Sequence, residues 1–452
     1  MNVRGAGLLT RLRPPPILVA AVTTGLALVV LIPAAVMSTV TTVLVFGVLV
    51  LLLLLTVLGF GRTAELFVVL GVLLVPLTRL HPVDAVAFIT YADAAFAVGF
   101  GLMLPDLMRR PLNLPPVFVL GVSGVFTVGL FTSLLADDPM GSLNILVRLL
   151  VGAFGLTILI SWWNPDRMRV LIVACAYVLG NVISVAYTVL KNETAHDGRR
   201  AGLAEHPNVY GLCALLAIAI IPFIVTQFPR SWRWIPLAAG VVCLYGVWSS
   251  GSRAALAVMI GVAVIYPVLA RSVLAALGLG VALAGVLVFL GTLLDEDSSG
   301  NALGRLLGSG SSSLSDLARQ QLFDDAVARF WQSPIIGNGL ADIIEAHVIY
   351  IQILAGFGVI GLVFYLMVLW TTLQPLTFLH PPYALVALPA LAYVTLGFVT
   401  PVMWDRYIWV LMALALLAPR LAEADAAPSD EEESPEPHVG LHRRSAVADA
   451  SA

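Results

Sequence analysis

The stretch RRAGLAEHPNVYG, residues 199–211, gathers Arg199, Arg200, Glu205 and His206 just ahead of a long apolar run, in a chain where charged residues make up only 11% of the total. Pro207 suits the first turn of a helix, where its missing N–H costs nothing. Gly202 allows the preceding loop to turn tightly. The cluster therefore sits beside a helix N-terminus, whose dipole and unpaired N–H groups favour an anion. The competing use of these arginines is snorkelling to phospholipid headgroups.

Two further stretches have related chemistry. In WSSGSRAALAVM, residues 248–259, Arg253 lies in a turn of small residues. Guanidinium stays ionised and grips phosphate through a planar, bidentate fork, although an ion pair with an acidic residue is the plainer role. In GNGLADIIEAHVIYIQILAGFGVIGLVFYLMV, residues 337–368, His347 stands at the entrance of another apolar run. A lone interfacial histidine is more often structural, yet with an ordinary pKa near 6.5 it can take up a proton at neutral pH, which arginine cannot. Gly356, Gly358 and Gly361 follow it and permit close helix packing. No His/Cys cluster has metal-ligand spacing, and Cys175, Cys213 and Cys243 all fall inside apolar runs as small core residues. Three separated sites thus offer Arg, Arg and His to one face of an apolar bundle. Such a set suits an anionic, lipid-bound ligand without a cofactor or metal. A polyprenyl diphosphate fits: its tail dissolves in the bilayer, arginines stabilise its departing charge, and the histidine deprotonates an incoming hydroxyl.

The elements that must hold these residues are transmembrane helices. The 452 residues are 60% hydrophobic, against roughly a quarter charged in an average soluble protein. Apolar runs of about 20 residues, enough for a bilayer core of roughly 30 Å, recur from end to end. They are solid rather than alternating, which excludes a β-barrel. The reading is all-α, a polytopic bundle of about 12–14 spans, near 17–35, 40–60, 64–78, 84–104, 115–134, 145–162, 168–190, 207–228, 234–249, 254–270, 273–293, 348–371, 383–400 and 406–420. The run after RLRPPP is as long as a full span, so an uncleaved first helix is expected rather than a signal peptide. With the N-terminus cytoplasmic, fourteen basic residues fall on the inner side and nine on the outer, the bias expected of that orientation. Arg148 falls inside a span, where a charge is expensive and usually has a partner.

Residues 1–420 form the membrane domain. Within it, 294–346 is a large outer loop whose second half, SLSDLARQQLFDDAVARFW, places Leu314, Leu317, Leu322, Phe323, Ala326 and Phe330 at roughly helical spacing. This predicts an amphipathic helix lying on the outer face of the bundle, capped by Ser313 or Ser315 and ended by SPIIGNG. Residues 421–452 are acidic, Pro-bearing and poor in large apolar residues, a disordered cytoplasmic tail. That tail dominates the net charge of −3, which carries no message about partners.

At the three chemical stretches the chain resembles the O-antigen ligase and O-antigen polymerase superfamily of the bacterial envelope. The family's Arg-x-Gly followed by His-Pro-Asn is matched by Arg200-Ala201-Gly202 and His206-Pro207-Asn208. Its Ser-x-Ser-Arg-Ala is matched by Ser250-Gly251-Ser252-Arg253-Ala254. Its large outer loop ends in P-x-x-G-x-G, here Pro334 to Gly339. Ala346-His347 then precedes an aliphatic-Tyr helix with Gly358 and Gly361, and Val348 stands where the family commonly has Asn. The resemblance covers about 190–365. It implies a metal-independent, inverting glycosyltransferase with a GT-C-like fold in the bacterial cytoplasmic membrane, both termini cytoplasmic. It would move a glycan from a polyprenyl-diphosphate carrier to a lipid or glycan acceptor on the outer face. By position, Arg200 and Arg253 would hold the diphosphate and His347 would be the general base. Arg199, Asn208, Arg319 and Arg148 are further substrate-binding candidates.

Ligase and polymerase share a donor and differ in acceptor, and no residue here separates them. A transporter or flippase for an anionic solute is the reading from another class. It expects ionisable residues at mid-span, which the central spans scarcely have. A non-catalytic scaffold for envelope assembly expects Arg200, Arg253 and His347 all to be dispensable. No feature points to nucleic acid.

Overall fold

The computed structural model describes residues 39–81, 89–195, 198–288, 301–306, 313–341, 346–401 and 403–426. The described residues form helices and connecting turns, with no strand among them. In chain order the helices are α1 (Thr39–Leu58), α2 (Phe60–Leu74), α3 (Tyr91–Leu107), α4 (Pro116–Leu135), α5 (Pro139–Arg148), α6 (Leu156–Trp163), α7 (Arg167–Lys191), α8 (Pro207–Gln227), α9 (Trp234–Ser249), α10 (Arg253–Leu269), α11 (Val273–Val288), α12 (Ala302–Leu306), α13 (Ser313–Gln332), α14 (Ile349–Phe378), α15 (Leu388–Leu396) and α16 (Arg406–Ala426). A π-helical stretch, Leu149–Gly155, joins α5 and α6 into one rod.

Six of these rods are long and apolar enough to cross a membrane: α4, α5–α6, α7, α8, α14 and α16. Every expected span from 40–60 onward falls on a described helix, and the first, 17–35, lies outside the described residues. The span expected at 383–400 is a 3-10 turn, Tyr383–Ala387, followed by the nine residues of α15.

The last helix is the axis of the bundle. From Ile408 to Ala415 its side chains have no exposure at all, as a helix must when it is apolar on every face and surrounded by others. It also runs past the expected boundary at 420. Leu421 is buried, and Asp425 accepts hydrogen bonds from Tyr383 and, at 2.8 Å, from Arg167. The remainder of the tail, from 427, lies outside the described residues.

The helix expected within 294–346 exists as α13, but its burial is narrower than its apolar stripe. Ala326 is buried among Ala346, Ala355, Phe330 and Ile351. Leu317 and Phe323, which belong to the expected apolar stripe, are exposed (57% and 37%). Beginning at Ser313, the helix puts Ser315 inside its first turn rather than at its cap.

After α13 the chain straps itself across a break in α14. Gly358 has φ 65° and ψ −170°, so α14 is two helical pieces meeting at that residue. The backbone groups freed by the break are taken up by the loop. Val359 N–H donates to Pro334 O at 2.9 Å, Ile360 N–H to Ile335 O at 3.3 Å, Asn338 N–H to Ala355 O at 2.9 Å and Gly339 N–H to Gly356 O at 2.9 Å. A Cβ on Gly358 would lie 2.2 Å from Ile335 O. The P-x-x-G-x-G run and the spaced glycines of α14 are therefore two halves of one device. Any helix break at membrane depth must have its polar groups satisfied by protein, and here the 334–339 loop does so.

Candidate functional site

A cavity of about 420 Å³ opens where α8, α10, α14 and α16 all begin. Its wall includes Arg199, His206, Asn208, Arg253, Arg305, Arg319, His347, Trp404 and Asp405. Four helix N-termini and four arginines make it strongly favourable to an anion.

Arg199 is set by an extended segment. Arg200 N–H donates to Ser249 O at 3.0 Å and Ala195 N–H to Arg199 O at 2.6 Å. In extended backbone successive side chains leave in opposite directions. The Arg199 side chain goes inward, 8% exposed, donating from Nε to Ser250 O at 2.9 Å and from its terminal nitrogen to Asn208 Oδ1. The Arg200 side chain goes the other way, to Thr188 O at 3.3 Å and Asn192 Oδ1 at 2.7 Å, and does not line the cavity. This corrects the expected convergence: Arg199, not Arg200, joins Arg253 and His347. The turn between them is held by Gly202, at φ +58° with Ser184 Oγ only 2.5 Å from where a Cβ would sit.

The neighbouring helix starts are built by short side chains. His206 is the N-cap of α8, its Nδ1 accepting from Asn208 N–H at 3.1 Å, with Pro207 in the first turn as expected. Ser252 caps α10, its Oγ accepting from Ala255 N–H at 3.3 Å, while Ser252 N–H donates to Ser250 Oγ at 3.1 Å. The Ser-x-Ser ahead of Arg253 is thus a capped turn that delivers the arginine as the first residue of its helix. His347 sits in the left-handed region, φ 54°, just before Val348, the N-cap of α14. Ile349 N–H donates to Gly397 O at 2.9 Å and Tyr350 Oη to Val394 O at 2.6 Å, tying this helix start to α15.

Arg319, from α13, lines the cavity, and so does Asn208. Arg148 does not. It is exposed at the end of α5, with its Nε donating to Asn144 Oδ1 at 3.2 Å. Among the described residues no three His, Cys, Asp or Glu side chains gather in a way that could hold a metal ion.

Two charged wall residues were not singled out in the sequence. Arg305 comes from α12, a five-residue helix in a low-complexity stretch with no periodicity to mark it. Asp405 immediately precedes α16, beside Arg406, which pairs with Asp93. The signal available was an acidic residue at the mouth of a span that ends beside the other basic clusters. Burial pushes the Asp405 carboxyl up to about 6, with Glu205 adding to the rise and Arg406 opposing it. The native state therefore binds a proton more readily than the unfolded chain between about pH 4 and 6. Stability falls as pH rises across that window, and the cost is fully present above it. Asp405→Asn is expected to raise the thermal midpoint at pH 7.5 and to leave it unchanged near pH 4, checked by melting the detergent-solubilised protein at both pH values.

The alternation of helices keeps the site at one end. Contacts at the opposite end join Trp162 to Arg110 and Arg167 to Gln227 and Asp425. Every cavity residue belongs to the end where α8, α10, α14 and α16 begin. No family model matches this chain, and no curated protein is significantly similar to it.

Proposed function

We propose that this protein is a GT-C-type membrane glycosyltransferase of the O-antigen ligase-like kind, moving a glycan from a polyprenyl diphosphate to a hydroxyl acceptor. The observation that carries the reading is the shared cavity. Arg199, Arg253 and His347, drawn from three distant stretches, line one space at the ends of apolar helices. In this reading that end faces outward from the cytoplasmic membrane, the orientation that the basic-residue bias favours.

In this reaction the acceptor oxygen attacks the anomeric carbon from the face opposite the diphosphate. The carbon–oxygen bond to the diphosphate breaks, its electron pair leaves with the diphosphate, and the anomeric configuration inverts. His347 takes the proton of the attacking hydroxyl. Arg199 and Arg253 hold the charge growing on the leaving group, helped by the N-terminal dipoles of α8 and α10. Arginine suits this role without metal because it stays charged and meets two phosphate oxygens at once.

A solute transporter is less well supported. Among the described buried side chains Arg199 is the one charged residue, and it belongs to a helix-end loop rather than to mid-span. Incubating the purified protein with a polyprenyl-diphosphate glycan and candidate lipid or saccharide acceptors tests the proposal. Transfer that persists after a chelator is added is the expected result. Absence of transfer with every acceptor, together with uptake of a solute into proteoliposomes, would replace it with the transporter reading.

A further inference from the structure

The cavity wall has two chemical parts. Its arginines come from the stretches 199–208 and 251–255, from α12 and from α13, whereas Leu396, Val399, Thr400 and Trp404 reach it from the end of α15 and the approach to α16. This second part supplies no cation to the wall and holds its one indole among the described residues.

Trp404 sits on a segment that is held at each residue. Met403 is buried, and its O accepts from Trp409 Nε1 at 2.8 Å. The Trp404 carbonyl lies against Gly152, where a Cβ would come within 2.6 Å of its oxygen. Gly152 belongs to the π-helical stretch Leu149–Gly155, a local widening of the kind often found at functional sites. Asp405 O accepts from Ile408 N–H at 3.1 Å, and Arg406 pairs with Asp93. The indole is half-buried, packed against the core and lining the cavity. An aromatic plane fixed in this way loses little freedom when a ligand covers it.

We propose that Trp404 is the stacking platform for the first sugar of the donor, a pyranose with one face of C–H bonds. This inference rests on the polyprenyl-diphosphate reading above. That sugar is joined to the diphosphate through a single oxygen, so a diphosphate among the arginines brings the ring into the same cavity. A pyranose is amphipathic, as this part of the wall is. Its C–H face meets the negative face of an indole. Its hydroxyl edge meets polar groups such as Thr400 and Asp405, which stand on either side of Trp404 in the chain and line the same cavity. An isoprenoid chain has no use for those polar groups and is better matched by Phe398 and Val399, exposed at 63% and 53%.

The test is equilibrium binding of farnesyl diphosphate and farnesyl diphospho-glucose to the purified full-length protein and its variants. Trp404→Leu keeps an apolar side chain and removes the plane. It is expected to weaken farnesyl diphospho-glucose about tenfold, the size of one stacked aromatic contact, and to leave farnesyl diphosphate within about twofold. Trp404→Phe keeps a plane and is expected to hold both ligands within about threefold. Equal weakening of both ligands by Trp404→Leu would overturn the platform, because the side chain would then serve the prenyl chain, the diphosphate or the fold. No change in either would overturn it as well and leave the diphosphate reading standing. A loss confined to methyl glucoside, added with farnesyl diphospho-glucose at saturation, would overturn the donor assignment and move the indole to the acceptor. Binding of neither farnesyl compound by the unaltered protein would overturn the diphosphate reading itself, and the platform with it.

Discussion

Replacing His347 with Ala is expected to slow the proposed glycan transfer about 10²- to 10⁴-fold, the cost of losing a general base, while binding of the diphosphate donor is expected to survive. The two effects separate because different groups carry them. In the proposed reaction the donor's charge would be met by Arg199 and Arg253, which keep their positions: Arg199 is fixed by Ser250 and Asn208, and Arg253 by the Ser252 cap. Only the proton acceptor is lost. Alanine at this position also adopts a left-handed backbone, φ 54°, which it tolerates poorly. His347→Asn removes that ambiguity, because asparagine accepts the left-handed region yet cannot act as a base near neutral pH. Both variants should fail in transfer, and both should bind a farnesyl-diphosphate glycan within about threefold of the unaltered protein. Transfer by purified His347→Asn at an undiminished rate would remove the histidine from the chemistry and leave it a structural role at the start of α14.

The sequence shows the bundle because burial in lipid leaves an unmistakable composition, and it shows most helix starts because their caps are local. His206-Pro207 and Ser250-Gly251-Ser252 are readable as helix entrances without any tertiary knowledge, and both are entrances. The inner half of the site is not local in this way. Whether Arg199 or Arg200 turns inward depends on the pairing of Arg200 N–H with Ser249 O, a contact across fifty residues that no spacing encodes. Arg305 lines the cavity from α12, whose Ala302 is buried in the core, in a stretch whose Gly and Ser content reads as featureless. The same limit applies to the glycines of α14. Spaced glycines suggest close packing of intact helices, whereas Gly358 interrupts the helix so that the 334–339 loop can bond to it. Apolar periodicity overstated the burial of α13 for a related reason. A stripe records which face would prefer burial, yet Leu317 and Phe323 are exposed while Ala326 is buried.

The second large effect concerns the two bundle arginines. Arg253→Ala is expected to lower transfer about 10²- to 10³-fold, the usual cost of removing one group that stabilises developing negative charge. Arg253→Lys should recover little of it, since an ammonium is a point charge and lacks the planar fork that meets two phosphate oxygens. Arg199→Lys is expected to fail for a further reason. Arg199 spans two fixed acceptors, Ser250 O through Nε and Asn208 Oδ1 through its terminal nitrogen. A lysine has one nitrogen at the end of a flexible stem and cannot hold the turn before α8 to the turn before α10 in the same geometry. Arg200 supplies the internal control. Its partners, Thr188 O and Asn192 Oδ1, belong to the end of α7, outside the cavity wall. Arg200→Ala should therefore retain transfer within about fivefold, roughly 1 kcal/mol of altered barrier. The adjacent pair makes the comparison sharp, because two arginines of equal charge, one peptide bond apart, should differ by more than an order of magnitude in their effect on rate. Measuring kcat and KM for Arg199→Ala and Arg200→Ala on the same donor decides it. A large loss confined to Arg200→Ala would mean that the working site lies on the α7 side of the loop, and that the 420 Å³ cavity is not where the diphosphate sits.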